Sequence, residues 1–309
     1  MPNPPDPTPT VVVVGSLNAD LLIDVERLPR AGETVTALAT AVAWGGKGAN
    51  QAVAAAGLGA RTIFVGAVGR DSRGTEALDD LARAGVDTTG VDRVEQPTGT
   101  AHVLRDAAGE NLIVVVPGAN HALSADHVRH VLEHLDVDDA VVVSNLEVPD
   151  DAVLAAATAA AARGWRLVLN PGPARILPPE LLALVAVLTP NAEEVLLLGA
   201  DSVADLLAAG TGAVVVTRGA DGVDVHDGER AGGPRRLPAL PVDVVDTVGA
   251  GDAFTAGLAV ALASGARLDD AALFGTAAAA IAVTGSGARG APLDPAAVRA
   301  LLADRAAGA

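Results

Sequence analysis

The sequence predicts an α/β fold in which a mostly parallel sheet is covered by helices on both faces. Several short segments are continuously apolar and rich in Val or Leu, as buried parallel strands are; they are residues 11–14, 62–68, 140–144, 166–170, 185–189 and 213–217. Ala-rich stretches of helical length lie between them, at 51–58, 75–84, 126–135 and 151–163. This alternation of strand and helix is typical of a doubly wound sheet.

Two regions interrupt the alternation and predict a second, smaller sheet. Residues 21–28 and 34–43 have strand character with no helix between them. Residues 100–105 and 111–116 flank a turn signal at 106–109, which is a hairpin pattern. We expect these strands to form a lid from about 18–45 and 98–118 at a ligand-binding edge. One apolar face of so small a sheet would stay uncovered, which favours a homodimer through the lid.

The two ends of the chain have different characters. Residues 1–10 are polar and rich in Pro, which predicts a disordered tail rather than a secretory signal. The C-terminal third predicts helices at 253–263, 270–283 and 295–306. We therefore expect residues 11–309 to form a single domain.

Composition excludes several classes of partner. The net charge of −17 argues against nucleic acid. No apolar run approaches the roughly 18 residues of a spanning helix, so no membrane partner is expected. The chain has no Cys, which excludes disulfides and thiolate metal sites and is compatible with a cytoplasmic location.

A glycine-rich turn at 246–257 carries the most information about chemistry. Gly249, Ala250 and Gly251 have almost no side chains, so their amides can approach an anion at the start of a helix. Asp252 places a carboxylate beside this anion site. That arrangement is explained if Asp252 takes a proton from a hydroxyl while the amides hold charge developing on a phosphoryl group. An ordinary N-cap is the alternative for Asp252.

The basic residues have an unusual distribution. Among the 21 there is one lysine, Lys47, and the other 20 are arginines. Lys47 lies in a second glycine-rich turn, residues 45–50, before a predicted helix. The turn lacks the ending of a Walker A loop, so it is not a P-loop.

Taken in order, residues 15–20, 45–54, 170–175, 189–191 and 246–257 resemble the signatures of the PfkB-type carbohydrate kinases, a ribokinase-like family. The resemblance covers almost the whole chain after residue 10. It implies a ribokinase-like fold and transfer of phosphate from MgATP to O5 of D-ribose. It also implies activation by a monovalent cation, K⁺ in the first instance.

The resemblance further implies roles for individual residues. The sugar would be bound by Asn18, Asp20, Gly46, Lys47, Gly48, Ala49, Asn50, Glu147 and Asp252. The nucleotide, with Mg²⁺ held largely through water, would be bound by Asn191, Glu194, Thr217, Arg218, Gly219, Ala220, Asp221, Gly222, Gly251, Asp252 and Thr276. The monovalent cation would be held by Asp246, Val248, Ala282, Gly285, Gly287 and Ala291.

The cation site departs from the family at two of these positions. Ala291 stands where the family has a serine that helps to bind the ion, and Gly285 stands where it has a basic residue. A backbone carbonyl can bind the ion whatever its side chain, so the change at Gly285 is harmless. The missing hydroxyl at Ala291 predicts weaker or less selective activation.

Other functions remain open at the level of sequence. A kinase of the same family could act on 2-deoxyribose, fructose or a nucleoside, although the chain holds few aromatic residues for stacking a base. A non-catalytic sugar sensor of the same fold has no need of a base at Asp252. A dinucleotide oxidoreductase is disfavoured, since the first predicted strand is not followed by Gly-x-Gly-x-x-Gly.

Overall fold

The computed structural model describes residues 8–108, 110–228, 230 and 233–308. Within these ranges the main sheet has nine strands in the order β13-β12-β11-β10-β9-β8-β1-β4-β5. They are β1 (Thr10–Val14), β4 (Arg61–Gly69), β5 (Val86–Val94), β8 (Val141–Asn145), β9 (Arg166–Asn170), β10 (Val187–Leu188), β11 (Ala213–Thr217), β12 (Val223–Asp227) and β13 (Arg235–Leu237). All neighbours from β11 to β5 pair in parallel, and β12 and β13 add an antiparallel edge.

Helices cover both faces of this sheet, as the sequence predicts. The helices are α1 (Lys47–Gly57), α2 (Ser72–Arg83), α3 (Ala125–His134), α4 (Asp150–Ala162), α5 (Pro179–Leu182), α6 (Ala192–Leu197), α7 (Val203–Ala208), α8 (Ala250–Ala263), α9 (Leu268–Ala282) and α10 (Pro295–Gly308). Alternate residues of β1 divide the core, because Val11 and Val13 pack with α1 and α8, whereas Val12 and Val14 pack with α3 and α4. No helix in the described ranges is long and apolar enough to cross a membrane.

A separate sheet of four strands has the order β3-β2-β6-β7 within the described residues. Its strands are β2 (Asn18–Asp24), β3 (Ala39–Gly45), β6 (Gly99–Arg105) and β7 (Asn111–Val116). β2 begins at residue 18 rather than 21 because Asn18 already pairs with Gly45 of β3 and Gly99 of β6. Asn18 and Asp20 therefore belong to a strand of the lid.

Some expectations about boundaries were wrong or lie outside the described residues. Thr10 pairs with Arg61 and belongs to β1, so this residue is not part of the predicted tail. Residues 1–7 and Gly109 of the predicted hairpin turn lie outside the described ranges. The sequence pattern did not predict β5, β12 and β13 because polar residues interrupt their apolar positions, as suits strands near an edge.

Candidate active site

Asp252 is buried at the start of α8, with 6% of its surface exposed. The helix begins at Ala250 after Gly249, so Asp252 lies inside the first turn and is not the N-cap. Its Oδ2 accepts a hydrogen bond from Nδ2 of Asn50 at 3.2 Å, and its Oδ1 accepts one from Nε2 of Gln51 at 3.0 Å. Amides from α1 thus hold both carboxylate oxygens.

Burial and Lys47 act in opposite directions on Asp252. Burial has the largest effect and raises the pKa of Asp252, whereas Lys47 and the Asn50 amide lower it. Asp252 in turn raises the pKa of Lys47 against the effect of burial, and Glu147 and Glu194 add to the increase. A carboxylate kept from water beside an ammonium is a suitable proton acceptor.

The first turn of α1 contains most of the predicted sugar-binding segment. The helix begins at Lys47 after Gly46, and Gly48, Ala49 and Asn50 are buried. This turn is fixed to the end of β1 by the amide of Ala49, which donates to the carbonyl of residue 16 at 2.9 Å.

Glu147 links this turn to the loop after β8. Its Oε2 accepts hydrogen bonds from Oγ of Ser16 at 2.5 Å and from the amide of Lys47 at 3.0 Å. Ser16 Oγ also accepts the amide of Gly48 at 3.3 Å. No role for Ser16 was predicted from the sequence, although it lies in the segment 15–20, two residues before Asn18.

Asn18 and Asp20 lie on β2, facing the same region. Oδ1 of Asn18 accepts a hydrogen bond from Nδ2 of Asn120 at 2.7 Å. Oδ1 of Asp20 is buried and has no hydrogen-bond partner among the described residues. Burial, together with Glu147, raises the pKa of Asp20 to about 6. Gly45 leaves room for this carboxylate, because a Cβ there would lie 2.0 Å from Oδ2 of Asp20.

The predicted anion-binding turn begins with a left-handed residue. Gly249 has φ 81°, and a Cβ on it would lie 1.8 Å from the carbonyl oxygen of Ala288. Around Gly251 the corresponding position is open, with no neighbouring atom within 4 Å. The amide of Ala250 donates to the carbonyl of Thr247 at 3.2 Å, so one of the three predicted donors is engaged within the turn.

The residues predicted to hold a monovalent cation lie in two adjoining loops. The Asp246 carboxylate accepts the amides of Val248 at 3.0 Å and Gly287 at 2.8 Å. The Ala282 carbonyl accepts the amides of Gly285 at 3.2 Å and Ala291 at 3.1 Å. This set of carboxylate and carbonyl oxygens fits a hard cation, with a methyl group at Ala291 in place of a hydroxyl.

Asn191 and Glu194 form a capping box at the start of α6. Oδ1 of Asn191 accepts the Glu194 amide at 2.8 Å, and Oε2 of Glu194 accepts the Asn191 amide at 2.7 Å. The capping interaction that the spacing left open is therefore present. Asn191 is exposed and Glu194 is half-buried, and Glu194 still acts on Lys47 across the site. Two accessible oxygen ligands suit Mg²⁺, which keeps most of its water.

The predicted nucleotide loop follows β11 and closes on itself. The amide of Arg218 donates to the carbonyl of Gly222 at 2.8 Å, forming the turn that spans residues 218–222. The Arg218 guanidinium forms an ion pair with the buried carboxylate of Asp224 on β12, so only its backbone is part of this turn. Thr276 is buried, and its hydroxyl donates to the Ala272 carbonyl at 2.8 Å.

Arg289 is a charged residue at the site that the sequence analysis missed. Its guanidinium forms an ion pair with Asp80 of α2, and its Nε lies 3.5 Å from Oδ1 of Asn50. It lines a cavity of about 230 Å³ that also reaches Gly249 and Asp252. The available signal was its position in a glycine-rich loop that already held predicted contacts.

A parallel sheet with a small lid sheet, and a buried carboxylate at a helix N-terminus beside a lysine, form the arrangement expected of a kinase that phosphorylates an alcohol. The model of the pfkB family carbohydrate kinases matches residues 8–295. The chain belongs to this family.

Similar proteins agree over nearly the full chain. The chain is 41% identical to the ribokinase of Haemophilus influenzae over 291 residues, which cover 91% of this chain and 94% of that protein. It is 38% identical to the ribokinase of Bacillus subtilis, and this match also covers 91% of this chain and 94% of that protein.

Solved structures give the same result. The ribokinase of Thermotoga maritima superimposes with a TM-score of 0.86 at 32% identity, over 96% of this chain and 99% of that one. The Arabidopsis thaliana ribokinase, solved with ribose and ATP, has a TM-score of 0.85 at 33% identity, with the same coverage.

Proposed function

We propose that this protein transfers the terminal phosphoryl group of ATP to O5 of D-ribose, giving D-ribose 5-phosphate. The observation that carries the proposal is the buried Asp252, held by two amides at the N-terminus of α8. The ribokinases of Haemophilus influenzae and Bacillus subtilis, and the Arabidopsis ribokinase solved with ribose and ATP, support ribose as the acceptor.

Asp252 acts as the general base. Burial raises its pKa, which makes it a stronger proton acceptor than an exposed carboxylate. As the sugar oxygen attacks the phosphorus, its proton passes to Asp252, and the bond to the leaving ADP breaks. The Lys47 ammonium stabilises the negative charge that develops between the Asp252 carboxylate and the transferred phosphoryl group.

The turn of Gly249, Ala250 and Gly251 is the anion hole. Its amides and the start of the helix dipole face the position where charge develops on the transferred group. The open space beside Gly251 leaves room for that group. The hydrogen bond from the Ala250 amide to the Thr247 carbonyl must break before the Ala250 amide can contribute.

The sugar lies between β2 and the first turn of α1. Asn18, Asp20 and Glu147 supply acceptors for hydroxyls, and Asn50 supplies both a donor and an acceptor. Asp20 is prepared for this role because its Oδ1 is buried without a hydrogen-bond partner among the described residues. Closing of the lid excludes water that would otherwise hydrolyse ATP.

The nucleotide lies on the other side of α8. The turn at 217–222 and Thr276 border it, and Asn191 and Glu194 would hold Mg²⁺, which keeps most of its own water. When bound, Mg²⁺ neutralises charge on the phosphates. The loops around Asp246 and Ala282 would hold a monovalent cation, K⁺ by preference, which would keep the 249–251 turn in shape. We also propose a cytoplasmic location, where ATP is available.

A coupled assay of ADP release tests the function. It is run with MgATP and K⁺ over D-ribose, 2-deoxyribose, fructose and adenosine. We expect turnover to be highest on ribose, and Asp252→Asn to keep ribose binding while losing at least ~10²–10⁴-fold in kcat, the usual contribution of a positioned base. Near-normal turnover in Asp252→Asn would exclude the assigned base, and higher turnover on another sugar would replace ribose as the substrate.

A further inference from the structure

Arg289 connects three elements around the proposed base without belonging to the proposed chemistry. It lies in the loop after α9, forms an ion pair with Asp80 of α2, and reaches Asn50 of α1. The side chains of Arg289 and Asp80 are only 24% and 18% exposed, so this ion pair is largely shielded from water. Shielded pairs that use the planar guanidinium fix geometry better than exposed ones.

The contacts of Asn50 fix the direction of its side-chain amide. Its Oδ1 is turned to the guanidinium of Arg289 at 3.5 Å, and its Nδ2 donates to Asp252 at 3.2 Å. A rotated amide would place Nδ2 against a cation and Oδ1 against a carboxylate, and both contacts would be repulsive.

We propose that Arg289 is a positioning residue that orients Asn50 so that its amide donates to Asp252. The order of the contacts is Asp80, Arg289, Asn50, Asp252. The inference rests on the proposed function, in which Asp252 is the base, and adds a residue that acts on the base through its neighbour.

Other charges near Asp252 do not supply this orientation. Lys47 and Glu147 act on Asp252 itself, and the second amide, from Gln51, reaches the other carboxylate oxygen. Arg83 also pairs with Asp80, at 3.6 Å, but its side chain is 71% exposed. Arg83 therefore offers a matched control: it shares the anion and lies away from Asn50.

Loss of Arg289 leaves Asn50 free to rotate. Since Asn50 is also assigned to the sugar, Arg289→Met should lower kcat/KM for ribose about tenfold, the effect of one hydrogen bond to a charged group. KM for ATP should stay unchanged. Arg83→Met should leave both parameters unchanged. Arg289→Lys retains the charge beside Asp80 but not the planar fork, so it should fold normally and lose most of the same factor.

A double-mutant cycle tests whether the effect passes through Asn50. If it does, Arg289→Met in an Asn50→Ala background causes no further loss of kcat/KM. An equal loss in both backgrounds, or no loss in the wild-type background, would overturn the proposal.

The side-chain amide of Asn50 gives a measurement that needs no turnover. Its ¹⁵N–¹H signals are identified by their absence in Asn50→Ala. They should shift strongly in Arg289→Met and Arg289→Lys but not in Arg83→Met. Unshifted signals would overturn the inference even if the enzyme is active. Shifted signals in a protein that phosphorylates none of the sugars would retain the orientation by Arg289 and remove only the proposed function.

Discussion

At the scale of single residues, Asp20 shows how a binding site can store an unfavourable charge. Its carboxylate has a buried oxygen without a partner among the described residues, and burial raises its pKa to about 6. Above that pH the folded protein bears an ionised group that is poorly solvated. In the proposed function, sugar hydroxyls supply the donors that this carboxylate lacks, so the ligand-free protein is less stable in return for recognition.

Asp20→Asn should therefore raise the free energy of unfolding of the ligand-free protein. The folded-state pKa lies above the ordinary value of 3.8, so the folded protein retains its proton longer than the unfolded chain as pH rises. The increase in the free energy of unfolding should be complete above about pH 6, shrink as the pH falls from 6 to 4, and vanish below about pH 4. Urea unfolding between pH 3.5 and 8 measures it.

Asp24 of the same strand provides the control. It is half-exposed and paired with Arg105 at 2.8 Å, so Asp24→Asn should change stability by less than ~1 kcal/mol. A gain for Asp20→Asn that is the same at pH 4 and pH 8 would show that the unpartnered charge is not its cause. Asp20→Asn should also bind ribose more weakly than the wild-type protein at pH 8.

At the scale of elements, the start of α8 depends on one backbone conformation. Gly249 and Gly265 flank this helix with nearly the same φ, 81° and 82°. A Cβ on Gly265 meets no atom within 4 Å, whereas a Cβ on Gly249 would overlap the carbonyl of Ala288. Alanine at Gly265 therefore introduces backbone strain alone, whereas alanine at Gly249 adds steric overlap to the same strain.

Gly265→Ala should lower the free energy of unfolding by roughly 1–2 kcal/mol, the cost of a left-handed residue with a side chain. Gly249→Ala should lose more, because the loop at 283–291 has to move, and it should also lose kcat with the anion hole. Urea unfolding and ADP release measure the two effects. Equal losses of stability in both variants would contradict the role of the Ala288 contact.

At the scale of the whole molecule, the edge strand β7 is notably apolar. Leu112, Ile113, Val114, Val115 and Val116 are each 44–54% exposed. An exposed apolar strand at a sheet edge favours association, and a second copy of the lid is the partner we propose.

Val114→Asp should accordingly convert a dimer into a monomer, because a buried unpaired carboxylate is costly in an interface. Sedimentation velocity at several concentrations measures the change. Ile176→Asp is the matched control, since Ile176 is 74% exposed and lies outside the lid. A wild-type protein that sediments as a monomer throughout would contradict the predicted dimer.

The same separation of scales explains what could be predicted from the sequence. Runs of Val and Ala encode the main sheet locally, so β1, β8 and α4 were predicted within a few residues. The contacts from Ser16 to Glu147 and from Asn18 to Asn120 join residues more than 100 positions apart. No local pattern encodes such pairs, and the effect of Arg289 on Asn50 is missing from the sequence analysis for the same reason.

The single lysine has a practical consequence. The only ε-amino group of the chain lies beside Asp252, so a reagent that acylates or methylates amines finds its one lysine target in the candidate site, besides the α-amino group of the first residue. Reductive methylation with ¹³C-formaldehyde would install a ¹³C-dimethylamino group there, whose signal reports the local charge as each ligand binds. Immobilisation or dye labelling through lysine, harmless for many proteins, would obstruct this one at its centre.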